Sequence, residues 1–132
     1  MKMVLSSARR KTARAKVLLR EGRGRVFING TPLELLEPEM IRLKIMEPIK
    51  LAGKIAEQVD IYAEASGGGV VGQASAIRTA IARALVEWSG SEELRKLYLT
   101  YDRRLLVEDP RQAEPKKPRG RSARAKRQKS YR

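Results

Sequence analysis

Gly67-Gly68-Gly69-Val70-Val71-Gly72 satisfies G-x-G-x-x-G, the pattern in which a glycine loop lets backbone N–H groups and a helix start approach a phosphate. A dinucleotide-binding unit next needs a second parallel strand ending in an acidic residue about 20 positions on. Glu92 and Glu93 have that offset but follow Ser91 in a pattern that opens a helix, and no second βαβ half follows. Two readings of the loop stay open. The glycines permit positive φ and a close backbone approach, or the loop N–H groups and the helix start receive an RNA phosphate. Catalysis finds little support. Asp60, Glu64, Asp102, Glu108 and Asp109 are scattered carboxylates, and the chain has neither His nor Cys to stand beside them. The usual general base, thiol chemistry and zinc ligands are therefore missing. These carboxylates read as solvated surface groups, and the expectation is a protein without enzyme activity, cofactor or metal.

The chemistry that remains is charge. The 132 residues include 29 Lys plus Arg and 15 Asp plus Glu, a net +14, with 42% hydrophobic and 5% aromatic residues. That length suits one domain with residues left over for tails. Residues 1–17 hold six cations (Lys2, Arg9, Arg10, Lys11, Arg14, Lys16) and no acid, and residues 110–132 hold ten against Glu114 alone. The stretch 18–109 nets −1. Charge gathered in terminal segments marks interaction arms, and the expected partner is a polyanion. The last 23 residues contribute only Ala113, Ala123, Ala125 and Tyr131 as apolar groups, interrupted by Pro110, Pro115, Pro118 and Gly120. Such a segment cannot offset the entropy of folding alone; extended, it spans about 75 Å. The chain thus divides into a globular domain over 1–109 with a basic N-terminal segment and an extended basic RNA-binding tail over 110–132. A plainer reading of the tail is a localisation signal or a nonspecifically adhesive segment. No charged-then-apolar leader opens the chain, and no apolar run nears the roughly 20 residues that span a bilayer. The expectation is an intracellular protein with no membrane partner.

The body must position these groups, and it reads as one α+β domain. Thr12–Arg20 alternates, with Ala13, Ala15, Val17 and Leu19 on one face, which is the pattern of a half-buried strand. Glu21–Gly24 is a turn, Arg25–Ile28 a second strand pairing with the first as a hairpin, and Asn29-Gly30 a further turn. A helix is expected from Pro38 to Pro48, carrying Met40, Ile41, Leu43, Ile45 and Met46. Gln58–Ala65 alternates again, with Asp60 and Glu64 outward. After the glycine loop, Ala74, Ile77, Ile81, Leu85 and Trp88 make one apolar helical stripe, leaving Arg78 and Arg83 off it to face solvent or phosphate. Ser91 caps a short helix ending near Tyr98, and Leu105–Val107 is a candidate last strand.

Four blocks, in order, resemble one family. Arg9-Arg10-Lys11-Thr12 with Ala13-Arg14-Ala15, and then Phe27-Ile28-Asn29-Gly30, is similar to the start of the ninth small-subunit ribosomal protein family. Gly67–Arg78, continuing through Ala82-Arg83-Ala84-Leu85, resembles its signature loop and helix. The ending Arg127-Gln128-Lys129-Ser130-Tyr131-Arg132 resembles that of its archaeal and eukaryotic branch. The resemblance implies a two-layer α+β sandwich like the second domain of the fifth small-subunit ribosomal protein. It implies a cytoplasmic, ribosome-bound structural protein in the small-subunit head, on the 3′ domain of the rRNA beside other ribosomal proteins. Carried over by position, the rRNA-binding residues are Arg9, Arg10, Lys11 and Arg14, then Gly67, Gly68, Gly69, Gln73, Arg78 and Arg83. In the tail they are Lys116, Lys117, Arg119, Arg121, Arg124, Lys126 and Arg127. The resemblance places Lys129, Ser130, Tyr131 and Arg132 at the anticodon stem-loop of peptidyl-site tRNA. The alternative is a free-standing RNA-processing cofactor of similar fold, such as the protein subunit of ribonuclease P.

Overall fold

The computed structural model describes residues 3–36, 39–102 and 105–106. Along the chain come β1 (Met3–Arg10), β2 (Ala13–Glu21), β3 (Val26–Ile28) and β4 (Thr31–Pro32). They are followed by α1 (Glu39–Ala52), β5 (Val59–Ser66), α2 (Val70–Ser89) and α3 (Glu92–Tyr101). The strands form one sheet in the order β1-β2-β5-β3-β4. Every neighbouring pair is antiparallel except β3 and β5. A parallel pair needs a long crossover, and α1 lies in the segment that provides it.

β2 and β5 bear out the alternation. Ala15, Val17 and Leu19 face Ala65, Ala63 and Ile61 across the ladder, and all but the partly buried Ala65 are buried. They pack in one core with Ile41 and Ile45 of α1 and with Ala74, Ile77, Ile81 and Leu85 of α2. α2 is buried well beyond that stripe, since Ala76, Ala80, Ala82 and Ala84 are also inside. Small side chains let this helix lie close to the sheet while α1 packs on it from another side. Gly90, in a left-handed conformation, ends it by donating its N–H to Val86 O, and Ser91 Oγ then caps α3 by accepting from Leu94 N at 3.2 Å.

Several expectations need correction. The hairpin partner of β2 is β1, a strand whose sequence shows no clear alternation, and β5 takes the other edge of β2. The Arg25–Ile28 strand therefore pairs in parallel with β5 instead of returning along β2. Asn29-Gly30 does form the turn, from β3 into β4. Pro48 does not end α1, which continues to Ala52; its carbonyl accepts a 2.7 Å bond from the buried Tyr98 hydroxyl. That contact satisfies a hydroxyl that would otherwise be buried at a cost of about 1–3 kcal/mol, and burial pushes the Tyr98 pKa up. α3 runs past Tyr98 to Tyr101. Leu105, fully buried, and Leu106 form a turn in place of a strand, while Pro38 and Val107 lie outside the described residues.

Candidate nucleic-acid interface

β1 and β2 are joined by a two-residue turn, Lys11-Thr12, with Arg9 opposite Arg14 just behind it. Three cations on a tight tip, Arg9, Lys11 and Arg14, are exposed. The glycine loop folds back onto this tip. Gly67 (φ +75°) and Gly68 (φ +59°) adopt left-handed backbone, and a Cβ on Gly67 would stand 2.5 Å from Thr12 O. A Cβ on Gly68 would stand 3.1 Å from Ala13 N. Positive φ and close approach both demand glycine here, so the structural reading of the motif holds. Gln73 Nε2 fastens the loop by donating to Gly67 O at 3.0 Å. Gly69 is the N-cap of α2, and no side chain caps it among the described residues. The first N–H groups of a 20-residue helix therefore open beside the basic tip, where they favour an anion.

Between the hairpin tip, α1 and the start of α2 lies a cleft of about 1020 Å³. Arg9, Arg10 and Lys11 line it, as do Gly68 and Gly69, and Met40, Leu43 and Lys44 of α1. Lys44 has its pKa lowered, first by burial and then by the neighbouring Arg78 charge. Arg78 itself corrects the sequence reading. It is 9% exposed, and Nη2 donates to Glu47 Oε2 at 2.7 Å and Asp102 Oδ2 at 3.1 Å. One guanidinium thus ties α1, α2 and the end of α3, while its buried Nε has no hydrogen-bond partner among the described residues. Arg83 is likewise engaged by the protein. Its Nε donates to Leu106 O at 2.8 Å and its Nη1 to Ser7 O at 3.1 Å, across the outer edge of β1.

Asp60 also departs from the solvated carboxylate expected. It lies on the sheet face away from the helices, yet the loop between β2 and β3 closes over it and leaves it 4% exposed. Oδ1 accepts from the backbone N–H groups of Arg23 and Arg25, each at 3.1 Å, and Oδ2 from Arg25 Nη2 at 2.9 Å. The Arg25 hydrogen bond dominates, and against the opposing effect of burial it holds the Asp60 carboxyl down at about 2. The Arg25 pKa rises correspondingly. Asp60 is a loop anchor. Glu64 is exposed as expected, and Glu108 and Asp109 lie outside the described residues.

Of the residues singled out from the sequence, the structure brings Arg9, Arg10, Lys11, Gly68, Gly69 and Arg78 to one cleft. Gly67 and Gln73 shape its rim, Arg14 stands behind the tip and Arg83 lies apart. Lys116, Lys117, Arg119, Arg121, Arg124, Lys126, Arg127, Lys129, Ser130, Tyr131 and Arg132 are outside the described residues. Lys44, Glu47 and Asp102 were missed as members of the cleft. No local signal could reveal them, because they meet Arg78 only through the packing of α1 and α3 on α2. Among the described residues no helix is long and apolar enough to cross a membrane.

The ribosomal protein S9/S16 family model matches residues 8–132. The small ribosomal subunit protein uS9 of Saccharolobus solfataricus is 56% identical over 132 residues, covering 99% of this chain and 96% of the relative. Its namesake in Methanothrix thermoacetophila is 52% identical over the full length of both chains. That of Sulfurisphaera tokodaii is 51% identical over 131 residues, 98% of this chain and 96% of the relative. With loop, hairpin tip and basic ending all inside the matched region, the chain belongs to the ribosomal protein S9/S16 family.

Proposed function

We propose that the chain is a structural, non-enzymatic constituent of the small-subunit head that binds the 3′ domain of the rRNA with its hairpin tip, cleft and tail. The tail tip, Lys129 to Arg132, contacts the anticodon stem-loop of peptidyl-site tRNA. The observation that carries this reading is the family match, which runs to residue 132 and so spans the tail segment. The helices packed against one sheet support kinship with the second domain of the fifth small-subunit protein.

The cleft has the parts needed for a phosphate. Arg9, Arg10 and Lys11 supply charge, and the start of α2, which no side chain caps among the described residues, supplies N–H donors. Contacts of this kind position RNA without reading sequence. Arg78 holds the helices that form the cleft walls. In the tail, Arg132 meets phosphate oxygens with a planar fork, and Tyr131 is the one aromatic residue there, so stacking on a base is a local addition. A protein that must accept every elongator tRNA is suited by backbone contacts.

The test is a sucrose gradient of tagged full-length chain expressed in a host of the same family branch. The chain should sediment with small subunits after a high-salt wash, and nuclease treatment should release it. A chain that remains at the top of the gradient contradicts the proposal.

A further inference from the structure

Among the described residues the sheet has helices on one face only, and the other face carries a pattern that solvent alone does not explain. The ladder registers place Leu5 opposite Leu18, Leu18 opposite Tyr62, Tyr62 opposite Phe27, and Phe27 opposite Pro32. One residue from each strand thus forms a continuous apolar row across five strands, roughly 19 Å long at about 4.8 Å per spacing. All five lie on the face away from the helices. An antiparallel sheet with one solvated face normally presents polar side chains there. Here Leu5 is 76% exposed and Met3, beside it, 59%, while Leu18, Phe27, Pro32 and Tyr62 are half-buried. The rows on either side are charged. Lys16 stands opposite Ser7 and Glu64, and Arg20 opposite Met3 and Asp60. Asp60 is already held by Arg25 and two backbone N–H groups, so it does little to balance Arg20.

We propose that this face docks another protein, through an apolar surface rimmed by Asp or Glu. The proposal rests on the chain working inside the small subunit. An apolar centre with Tyr, Leu and a charged rim has the composition of a protein interface core and its surround. RNA fits the face less well. Phe27 and Tyr62 stack on each other, with centroids 5.5 Å apart and planes 7° from parallel, and the register sets Leu18 and Pro32 on their outer sides. A base would find ring edges and methyl groups where it needs an open ring face. The chain's own residues 110–132 carry +9 and almost no apolar groups, so they have little to cover the row and Arg20 disfavours them.

The test places a benzophenone amino acid at Leu5 of the full-length chain, with a control at Thr12 on the hairpin tip, and irradiates gradient-purified small subunits. The Leu5 position should give an adduct that resists ribonuclease and is destroyed by protease, joined to a different protein at a peptide bearing Asp or Glu. The Thr12 position should give an rRNA adduct. Arg20→Glu should lower the yield of the Leu5 protein adduct at least several-fold, and Arg20→Lys should preserve it. An rRNA adduct from Leu5, an adduct to a second copy of the chain, or no adduct while Thr12 still cross-links would each overturn the proposal. Failure of the unsubstituted chain to enter subunits would overturn this proposal together with the function it rests on.

Discussion

Between residues 18 and 109 the chain nets −1, while residues 1–17 and 110–132 together net +15, and the two regions differ in the acids their own segments supply. In the body, Arg25 holds Asp60, Arg78 holds Glu47 and Asp102, and Arg83 holds the carbonyls of Ser7 and Leu106. Each closes a contact between segments distant in sequence. The ends have sixteen cations and one carboxylate, so their own segments offer almost no acid to meet. The number of cations is therefore a poor guide to RNA contact, and the local supply of acceptors decides. Arg25, Arg78 and Arg83 are components of the fold, each held by acceptors that the body supplies.

The guanidinium of Arg78 carries the most stability of these three body arginines. Arg78→Met removes the cation between Glu47 and Asp102 and leaves two carboxylates without it in a partly buried site. The loss should be about 3 kcal/mol, read from urea denaturation of the full chain. Adding Glu47→Gln and Asp102→Asn should recover much of it. An Arg78→Met protein as stable as the parent would show that the triad is not a fold clamp.

Next comes the far end of the tail. Deleting Ser130-Tyr131-Arg132 removes one of 29 cations and should leave folding and rRNA assembly nearly intact. It should speed tRNA dissociation from the peptidyl site of purified small subunits by an amount equivalent to about 1–3 kcal/mol. Arg132→Lys should fall between parent and deletion, since it keeps the charge and loses the fork. Equal dissociation rates for parent and deletion would confine the tail to rRNA anchoring.

The smallest effect concerns Asp60. Its carboxyl is held at about 2, against an ordinary value of 3.8. A depressed pKa means that the stabilisation is complete above about pH 4 and is lost as pH falls toward 2. Asp60→Asn should cost about 1.5 kcal/mol at neutral pH and flatten the stability profile between pH 2 and 4. A profile that keeps the parent's slope in that window would assign the acid sensitivity to other carboxylates.

What the sequence made legible follows the range of each interaction. β2, β5 and α2 carry their own periodicity, and the glycine loop announces a close backbone approach, so these are readable one segment at a time. β1 was missed because Ser6 and Ser7 blur its alternation, and its absence sent the Arg25–Ile28 strand to the wrong partner. Pro48 reads as a stop because a missing N–H is a local fact, whereas the Tyr98 hydroxyl on its carbonyl comes from 50 residues away. Asp60, Arg78 and Arg83 misled in the same way. Their partners lie between 23 and 76 residues distant, and no spacing rule brings those residues together. In the cleft, the basic tip and glycine loop were legible from composition, but Lys44 was not.

On the proposed function, the ends, and not the body, carry the ionic contact with RNA. The direct measurement is the affinity of the full chain and of a chain lacking residues 110–132 for the rRNA 3′ domain across a salt series. With about half of the terminal cations on phosphates, the full chain should show a slope of log K against log salt of about −5 to −7, at roughly 0.7–0.9 per contact. Truncation should reduce the magnitude of that slope by more than half. An unchanged slope in the truncated protein would remove the tail from the ionic contacts and assign them to residues 1–109.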